Sequence, residues 1–221
     1  MRLTAGDLVF RYPGGDHDVL AGLSCDIPSG ASVAIVGPSG SGKTTLLSLL
    51  GGLLRPQQGA FECVDVDGSR HVPRDVSTWV LQTVSLLPER SVIDNVCLGA
   101  YLDGADTAIA RDRAHARLSD MGLADRAQEP ARVLSGGEAQ RVAIARALAS
   151  DRPVLFADEP TGQLDAVTTD RVLDAMFAAA NRTVVLVTHD GSAASRCDLV
   201  LRLTDGVLVA DAPIAPQERA R

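Results

Sequence analysis

Short apolar runs, rich in β-branched residues and bounded by glycine or proline, recur along the chain. Four of them are continuous rather than alternating, which indicates strands that are buried on both faces. They lie at residues 32–37, 153–160, 183–189 and 198–203. Segments in which the apolar residues have helical spacing separate these strands, notably residues 44–54, 138–149 and 165–180. Strands that alternate with helices in this way predict an α/β fold, in which helices cover a mostly parallel sheet.

Two segments depart from this alternation. Between about residue 82 and residue 150 the strand pattern disappears, and we predict helices at residues 92–101 and 107–121 and a third after Ser135. A helical region is therefore inserted into the sheet domain. Near the other end of the chain, Asp205-Gly206 stands between β-favouring residues, which predicts a hairpin.

Length and composition fit one substantial domain with an inserted lobe, since the chain has 221 residues and 46% of them are hydrophobic. The densest apolar run, at residues 46–54, is nine residues long and contains two glycines, whereas a membrane-spanning helix needs roughly 18 residues. The N-terminal segment reaches Gly6 and Asp7 before an apolar core could form, which is unlike a secretion signal. We therefore expect a cytoplasmic protein.

Charge and cysteine spacing argue against two further classes of protein. The net charge is −7, and no stretch combines clustered basic residues with interleaved aromatics, so no nucleic-acid partner is expected. The four cysteines lie tens of residues apart without a C-x-x-C pair, so neither a zinc site nor a redox centre is predicted. We expect reduced thiols that pack as small apolar side chains.

The segment G-P-S-G-S-G-K-T, residues 37–44, matches G-x-x-x-x-G-K-[ST] between a predicted strand and a predicted helix. Its glycines allow a tight turn that brings successive backbone N–H groups onto phosphate oxygens, and the helix adds its positive N-terminal end. The Thr44 hydroxyl stands where this motif ligates Mg²⁺. The residues predicted to contact a nucleotide here are Gly37, Pro38, Ser39, Gly40, Ser41, Gly42, Lys43, Thr44 and Thr45.

Lys43 is the only lysine in a chain with 21 lysine and arginine residues. A bias towards arginine could leave one lysine at any position, but the surrounding motif gives this one a chemical reason. A compact ammonium fits inside the loop as a point charge on the β and γ oxygens, whereas the planar guanidinium needs more room. We therefore predict that Lys43 contacts the phosphates and takes part in catalysis.

Two carboxylates end the apolar run at residues 153–160, at the edge where open α/β sheets bind ligands. Asp158 is predicted to contact Mg²⁺ through water, and Glu159 to polarise the attacking water as general base. An apolar run followed by Asp-Glu could by itself be a helix cap. Its place downstream of the phosphate-binding loop favours the hydrolytic role.

A second motif narrows the class of nucleotide-binding protein further. It is the segment L-S-G-G-E-A-Q-R-V-A-I-A-R-A-L, residues 134–148. Ser135 and Glu138 have the spacing of a capping box at the start of an apolar-faced helix. A cap does not explain the pair Gly136-Gly137, which exposes backbone N–H groups at a positive helix end. The sequence thus predicts a second anion site in the same chain.

With these segments the sequence resembles the ATP-binding subunit of an ABC transporter. The resemblance covers nearly the whole length of the chain. Residues 37–44 resemble the Walker A motif of that family, residues 134–140 its signature motif and residues 154–159 its Walker B motif. Single positions also match: Gln82 in the Q-loop, Asp165 at the end of the D-loop, His189 as the switch histidine, and Tyr12 where the family stacks an aromatic on adenine.

The resemblance implies a RecA-like P-loop NTPase core with an N-terminal antiparallel β portion and an inserted α-helical subdomain. The chain, residues 1–221, would form a single ABC ATPase domain. Its nucleotide-binding core would comprise about residues 1–81 and 151–221, and the helical subdomain, with the Q-loop and the signature motif, about residues 82–150.

The resemblance also implies a mechanism in which two copies pair head to tail around ATP and Mg²⁺. ATP would lie between the Walker A loop of one copy and the signature helix of the other, where Ser135 and Gly137 hold the γ-phosphate. Gln82 would sense Mg²⁺ and the attacking water, and His189 would contact the γ-phosphate and help to position Glu159. Asp165 also belongs to the expected nucleotide site.

Two of these assignments keep a structural alternative. Tyr12 could be an ordinary strand aromatic that packs without stacking on a base. His189 could be a buried structural histidine. It comes directly after a predicted strand, however, which places it at the same edge of the sheet as the two carboxylates.

Three stretches, at residues 46–59, 86–96 and 160–165, resemble the subgroup of lipoprotein-release, macrolide-efflux and cell-division ATPases. Gln163 and Ser91 depart from that subgroup, which usually has asparagine and threonine there. The resemblance implies an ATPase that drives a separate integral membrane permease, of the efflux or lipoprotein-release type, from the cytoplasmic face of the cell membrane.

Two alternatives to a transport motor stay open from the sequence. The chain could be an ATPase of the cell-division type, which regulates a membrane partner without transport. It could also be a soluble ABC protein that acts on ribosomes or DNA. Proteins of that second kind usually contain two cassettes in one chain or a cassette split by a long coiled coil. Neither pattern is present in this acidic sequence of 221 residues.

Overall fold

The computed structural model of the chain describes residues 1–178 and 182–210. The strands in these ranges are β1 (Arg2–Phe10), β2 (Leu20–Ile27), β3 (Ser32–Val36), β4 (Gln58–Val64), β5 (Ser77–Val80), β6 (Val154–Asp158), β7 (Thr183–Val187), β8 (Leu199–Thr204) and β9 (Val207–Ala210). The helices are α1 (Lys43–Leu50), α2 (Pro73–Val76), α3 (Val92–Tyr101), α4 (Thr107–Asp120), α5 (Gly136–Ala149), α6 (Ala166–Phe177) and α7 (Gly191–Ser195). Two 3-10 turns, Ala124–Arg126 and Ala131–Val133, precede α5.

The strands form two sheets. One has the order β5-β6-β7-β3-β8-β9, and its first five strands are parallel. Strand β9 pairs antiparallel with β8 through the predicted hairpin, in which Asp205 and Gly206 both have positive φ. The second sheet is antiparallel, in the order β2-β1-β4. The predicted α/β class, with a mostly parallel sheet and an N-terminal antiparallel portion, is therefore confirmed.

Burial on both faces accounts for the continuous apolar sequences of the central strands. Every residue of β6 and β7 is buried. Neighbouring residues of a strand point to opposite faces. Leu155 and Leu186 accordingly pack in a core with helices α3 to α6, whereas Phe156 and Val185 pack in a second core with α1 and the antiparallel sheet.

The helices of the inserted region have nearly the predicted bounds. Helix α3 agrees with the prediction, and α4 ends at Asp120, one residue earlier than predicted. Helix α5 begins at Gly136 rather than at residue 138, because Ser135 is its N-cap. Helix α6 likewise begins after its N-cap Asp165 and ends at Phe177, and residues 179–180 of that prediction lie outside the described ranges.

The prediction of one helix over residues 44–54 was wrong at its C-terminal end, since α1 stops at Leu50. Gly51 follows as the C-cap, and a Cβ atom there would lie 1.9 Å from the ring of Trp79. The chain then turns away at Gly52, which has a φ of 72°. Trp79 in turn packs on Phe156, with ring centroids 4.8 Å apart.

The inserted helices α3, α4 and α5 pack against one another beside the parallel sheet. The division of the chain into a core and a helical subdomain at residues 82–150 stays a prediction. All four cysteines are free thiols, and three of them are buried. Among the helices that the structure describes, none is both long and apolar enough to cross a membrane.

Candidate functional site

The carboxyl ends of four neighbouring parallel strands bring most of the predicted site together. In spatial order, Gln82 follows β5, Asp158 ends β6, His189 follows β7, and Gly37 follows β3. Asp158 is paired with Val187, the last residue of β7. Segments that are far apart in sequence therefore meet at the edge where open parallel sheets bind ligands.

The loop between β3 and α1 has the backbone shape that phosphate binding requires. Gly42 is the N-cap of α1 with a φ of 97°, a conformation that other residues rarely adopt. At Gly37 a Cβ atom would lie 2.2 Å from the carbonyl oxygen of Leu203, so only glycine fits there. In the described chain no side chain caps the start of α1, and its first N–H groups are available to an anion.

Lys43 is the first residue of α1, and its ammonium lies against this loop. Its Nζ donates hydrogen bonds to the carbonyl oxygens of Gly37, at 3.0 Å, and Pro38, at 2.9 Å. Two of the three ammonium hydrogens are thus used, and the third is left for a ligand. The buried hydroxyl of Ser41 has no hydrogen-bond partner among the described residues, a deficit that a bound phosphate would remove.

Thr44 and Asp158 meet beside the loop although they come from α1 and β6. Thr44 Oγ1 donates a hydrogen bond to Asp158 Oδ2 at 2.8 Å. Asp158 is buried, and this burial raises the pKa of its carboxyl, while the hydrogen bond from Thr44 acts in the opposite direction. A desolvated carboxylate next to a hydroxyl is a set of hard oxygen donors, which attracts a cation such as Mg²⁺.

This donor pair fits Mg²⁺ better than it fits a metal held by protein ligands alone. Residues 1–178 and 182–210 contain no group of three or more His, Cys, Asp or Glu residues that could hold a metal. Mg²⁺ usually takes one or two protein ligands and completes its shell with water and substrate phosphates. Thr44 and Asp158 are therefore the residues that would hold it. Gln82 is exposed beyond β5, and its role at the metal stays a prediction.

Glu159 and His189 lie in direct contact. His189 Nδ1 is 2.8 Å from Glu159 Oε2, and the backbone N–H of His189 donates to the same oxygen at 3.4 Å. The contact favours a proton on Nδ1 and leaves Nε2 outside the pair. The His189 side chain is 73% exposed, which rules out the alternative of a buried structural histidine. The structure thus brings together the predicted base and the histidine predicted to position it.

Tyr12 follows β1 and contacts the helix that starts at the phosphate-binding loop. Its ring packs edge-on against Phe10 at a centroid distance of 4.9 Å. Its hydroxyl shares a hydrogen bond with Thr45 Oγ1 at 3.0 Å. The side chain remains about half exposed, so one ring surface is accessible to a base. Stacking on adenine stays a prediction, for which this placement is favourable.

The predicted capping box at the start of α5 is confirmed. Glu138 Oε2 accepts hydrogen bonds from the backbone N–H of Ser135 at 2.9 Å and from its hydroxyl at 2.8 Å. These hydrogen bonds hold the pKa of Glu138 below its usual range. Arg126 Nη1 lies 2.7 Å from Glu138 Oε1 and holds the same carboxylate from the other side. The start of α5 is therefore fixed in shape.

The two predicted anion sites are separate within one chain. No hydrogen bond or ion pair of the described residues joins residues 134–137 to residues 37–44. The D-loop, residues 161–165, lies beside the start of α5 instead: a Cβ atom at Gly136 would lie 3.1 Å from Gln163 Oε1. Asp165 accepts hydrogen bonds from Thr168 N and Oγ1, both at 2.9 Å, so its contact with nucleotide stays a prediction.

Gln140 is a residue of this region whose contact the sequence did not reveal. Its Nε2 donates a hydrogen bond at 3.1 Å to the carbonyl oxygen of Pro160, the residue after Glu159. Gln140 is 2% exposed. The only signal in the sequence is a polar residue on the side of α5 that also carries the buried Ile144 and Ala147.

A parallel sheet with a glycine-rich loop between its strand β3 and helix α1, an ammonium on that loop and a Thr-Asp pair beside it define a P-loop nucleoside triphosphatase. Comparison with known proteins gives the family. The family model described as ABC transporter matches residues 20–162. The chain belongs to the ABC transporter family, and it is an ATP-binding ATPase cassette of that family.

Relatives and solved structures agree with this assignment. The macrolide export ATP-binding/permease protein MacB of Rhodopseudomonas palustris (strain BisB18) is 42% identical over 91% of this chain and 32% of its own length. The lipoprotein-releasing system ATP-binding protein LolD of Novosphingobium aromaticivorans is 41% identical over 90% of this chain and 93% of its own. The ATP-binding cassette MJ0796, solved as a post-hydrolysis dimer with ADP and Pi, has a TM-score of 0.85 and 30% identity, and covers 97% of this chain and 100% of its own.

The two curated relatives differ in how much of them the chain covers. It spans about a third of the length of the macrolide-export relatives that it matches. It spans nearly all of the lipoprotein-releasing relative. The similarity therefore concerns the ATP-binding part of both systems.

Proposed function

We propose that two copies of this chain bind two ATP molecules between them, and that hydrolysis drives a separate membrane permease. The observation that carries the proposal is the complete hydrolytic set at one sheet edge: Lys43, the pair of Thr44 and Asp158, and the pair of Glu159 and His189. Among the described residues no hydrogen bond or ion pair joins the second anion site, at Ser135 and Gly137, to this set, so the site is available to a second copy. The dimeric state of the similar cassette MJ0796 supports this arrangement.

Each residue has a physical role in the proposed reaction. The backbone N–H groups of residues 37–44 and the Lys43 ammonium bind the β and γ oxygens, and Thr44 and Asp158 would hold Mg²⁺. When bound, Mg²⁺ neutralises charge on the phosphate oxygens. Glu159 accepts a proton from the attacking water, and His189 keeps the carboxylate in place through Nδ1.

The remaining nucleotide contacts belong to the same proposal. Tyr12 stacks on adenine, Ser135 and Gly137 contact the γ-phosphate of the partner's nucleotide, and Gln82 connects the metal site to the helical subdomain at residues 82–150. The exposed Gln82 and the half-exposed Tyr12 are both accessible for these contacts.

The names of the relatives support a membrane partner. The macrolide-export proteins are named as ATP-binding and permease proteins, and this chain matches about a third of their length. The lipoprotein-releasing relative, of which the chain covers 93%, is named as an ATP-binding protein alone. By this likeness the permease would be a separate chain, and the cassette would lie on the cytoplasmic face of the membrane.

A groove beside the Q-loop offers an apolar surface for this permease. It has a volume of about 480 Å³ and lies between β5, α3 and α5. Its lining includes Leu81, Tyr101 and Leu102, which are 49%, 43% and 71% exposed. Exposed apolar side chains that are grouped in this way are typical of protein interfaces.

We expect Tyr101→Asp to reduce recovery of an integral membrane protein with the tagged chain by about tenfold, because burying a charge at an interface costs about 1–2 kcal/mol of binding free energy or more. The measurement is purification from detergent-solubilised native membranes. Ile109→Asp is the matched control, since Ile109 is 45% exposed on α4 and outside the groove lining. ATP turnover of the purified variants should remain unchanged. Recovery of ribosomes in place of a membrane protein would contradict the proposed function.

A further inference from the structure

The backbone at Glu159 has a conformation that its neighbours must enforce. Its φ is +48°, in the left-handed region that residues other than glycine rarely occupy. The next residue is Pro160, and residues before proline favour an extended backbone. Such a conformation persists only where the surrounding structure fixes it, and it is commonly part of a functional site.

Three hydrogen bonds hold this turn. The backbone N–H of Gly162 donates to the carbonyl oxygen of Glu159 at 3.4 Å within the turn, and the other two join the turn to neighbouring elements. The backbone N–H of Glu159 donates to the carbonyl oxygen of Val187 at 2.9 Å, which joins the turn to the end of β7. The carbonyl oxygen of Pro160 accepts from Gln140 Nε2 at 3.1 Å, which joins it to helix α5. Gln140 is the only residue whose side chain makes a hydrogen bond to this carbonyl in the described parts of the chain.

Stability alone does not explain a glutamine at this position. Gln140 is 2% exposed, and its Oε1 has no hydrogen-bond partner among residues 1–178 and 182–210. A buried acceptor without a partner costs free energy, whereas an apolar side chain of the same length has no such cost. What the glutamine provides is the N–H donor that holds Pro160.

We propose that Gln140 is a positioning residue for Glu159 of its own chain. By holding the Pro160 carbonyl, it keeps the Glu159 backbone in the left-handed conformation and so directs the carboxylate to the position next to His189. The inference rests on the proposed role of Glu159 as general base.

The helix that carries Gln140 also begins at Ser135, which is proposed to face the partner's nucleotide. A change at Gln140 could therefore act on the base of its own chain or on the ATP of the partner site. The position of the hydrogen bond, between α5 and Pro160 of one chain, assigns the first of these effects.

The first test is Gln140→Met, which keeps side-chain length and removes both the donor and the unpartnered Oε1. We expect kcat for ATP to fall by about tenfold, as for a displaced catalytic group, with KM changed little. The melting temperature should be unchanged or higher. Gln128→Met, the same replacement at an exposed position, is the control and should behave as the native chain. A native kcat, or a kcat that falls only together with the melting temperature, would overturn the proposal.

The second test separates the two possible sites of action with dimers of two differently tagged chains. In each dimer one chain carries Glu159→Gln, so only the other chain's base can work. The reference dimer contains a native chain and a Glu159→Gln chain. Dimer one places Gln140→Met in the chain with the intact base, and dimer two places it in the Glu159→Gln chain.

We expect dimer one to turn over ATP about tenfold more slowly than the reference dimer and dimer two to equal it. Slowing of dimer two by as much as dimer one, or by more, would show an effect across the interface and would refute positioning within the chain. An inactive native chain or the absence of ATP-dependent dimers would instead refute the proposed function.

Discussion

Glu159→Gln is expected to lower the rate of ATP hydrolysis by about 10²- to 10⁴-fold, the usual contribution of a general base. Glutamine has the same shape as glutamate but cannot accept the proton of the attacking water. ATP binding should persist, because the proposed phosphate contacts come from residues 37–44 and from Ser135 and Gly137 of the partner copy, and not from Glu159. Because hydrolysis is the step that is proposed to release the two copies, the variant should accumulate as an ATP-bound dimer.

The measurements for this variant are phosphate release and molecular mass in solution. With ATP and Mg²⁺ the mass should be twice the 23.1 kDa of one chain, and without ATP it should be that of one chain. Glu89→Gln is a suitable control, because Glu89 is 78% exposed and its ion pair in the described part of the chain, with Arg132 at 3.4 Å, lies at the surface. Normal turnover by Glu159→Gln would remove Glu159 from the role of base.

Lys43→Arg is expected to lower ATP hydrolysis by about 10²-fold although it preserves the charge. Lys43 Nζ lies 3.0 Å and 2.9 Å from the carbonyl oxygens of Gly37 and Pro38, so the ammonium is held against the loop on one side. A guanidinium is wider and planar, and it would displace one of these carbonyls or the phosphate. The backbone of Gly37 lies close to the carbonyl oxygen of Leu203, since a Cβ atom at this position would be 2.2 Å from it. The loop therefore has little room to move in that direction.

The test of Lys43→Arg is the steady-state rate of hydrolysis together with the affinity for ATP. The reverse replacement Arg55→Lys at an exposed position controls for the change of residue type, and it should have native activity. Turnover near the native rate in Lys43→Arg would show that charge alone is sufficient. It would also remove the steric reason for a lysine at this one position.

The parts of the site that lie in short contiguous motifs were predictable from the sequence. Residues 37–42 lie between β3 and α1, Lys43 and Thr44 begin α1, and the glycines of this loop predict the tight turn. Asp158 and Glu159 end an apolar run, and the register of a parallel sheet then determines that they reach the same edge as the loop. The capping box of Ser135 and Glu138 is equally local.

The features that depend on irregular backbone or on long-range contacts were not predictable in the same way. Strand β1 was not located because Asp7, with a φ of 51°, interrupts its alternation, and the pairing with β2 shifts between Ala5 and Leu8. The end of α1 depends on Trp79, which occupies the space beside Gly51. The contact of Gln140 with Pro160 joins residues 20 apart in sequence and leaves no periodic signal.

Complementation between two inactive variants shows whether each ATP site is built from two copies of the chain, as we propose. Lys43→Ala removes the phosphate contact of the loop. Gly137→Asp places a negative charge at the start of α5, where it favours the helix but repels a phosphate, and a Cβ atom there has space.

Each variant alone should be inactive. Mixed together, they should hydrolyse ATP, because one site of the mixed dimer then has a native loop from one chain and a native signature from the other. A mixture that stays inactive, although both chains are folded and form mixed dimers, would show that the loop of one copy and the signature motif of the other do not form one ATP site.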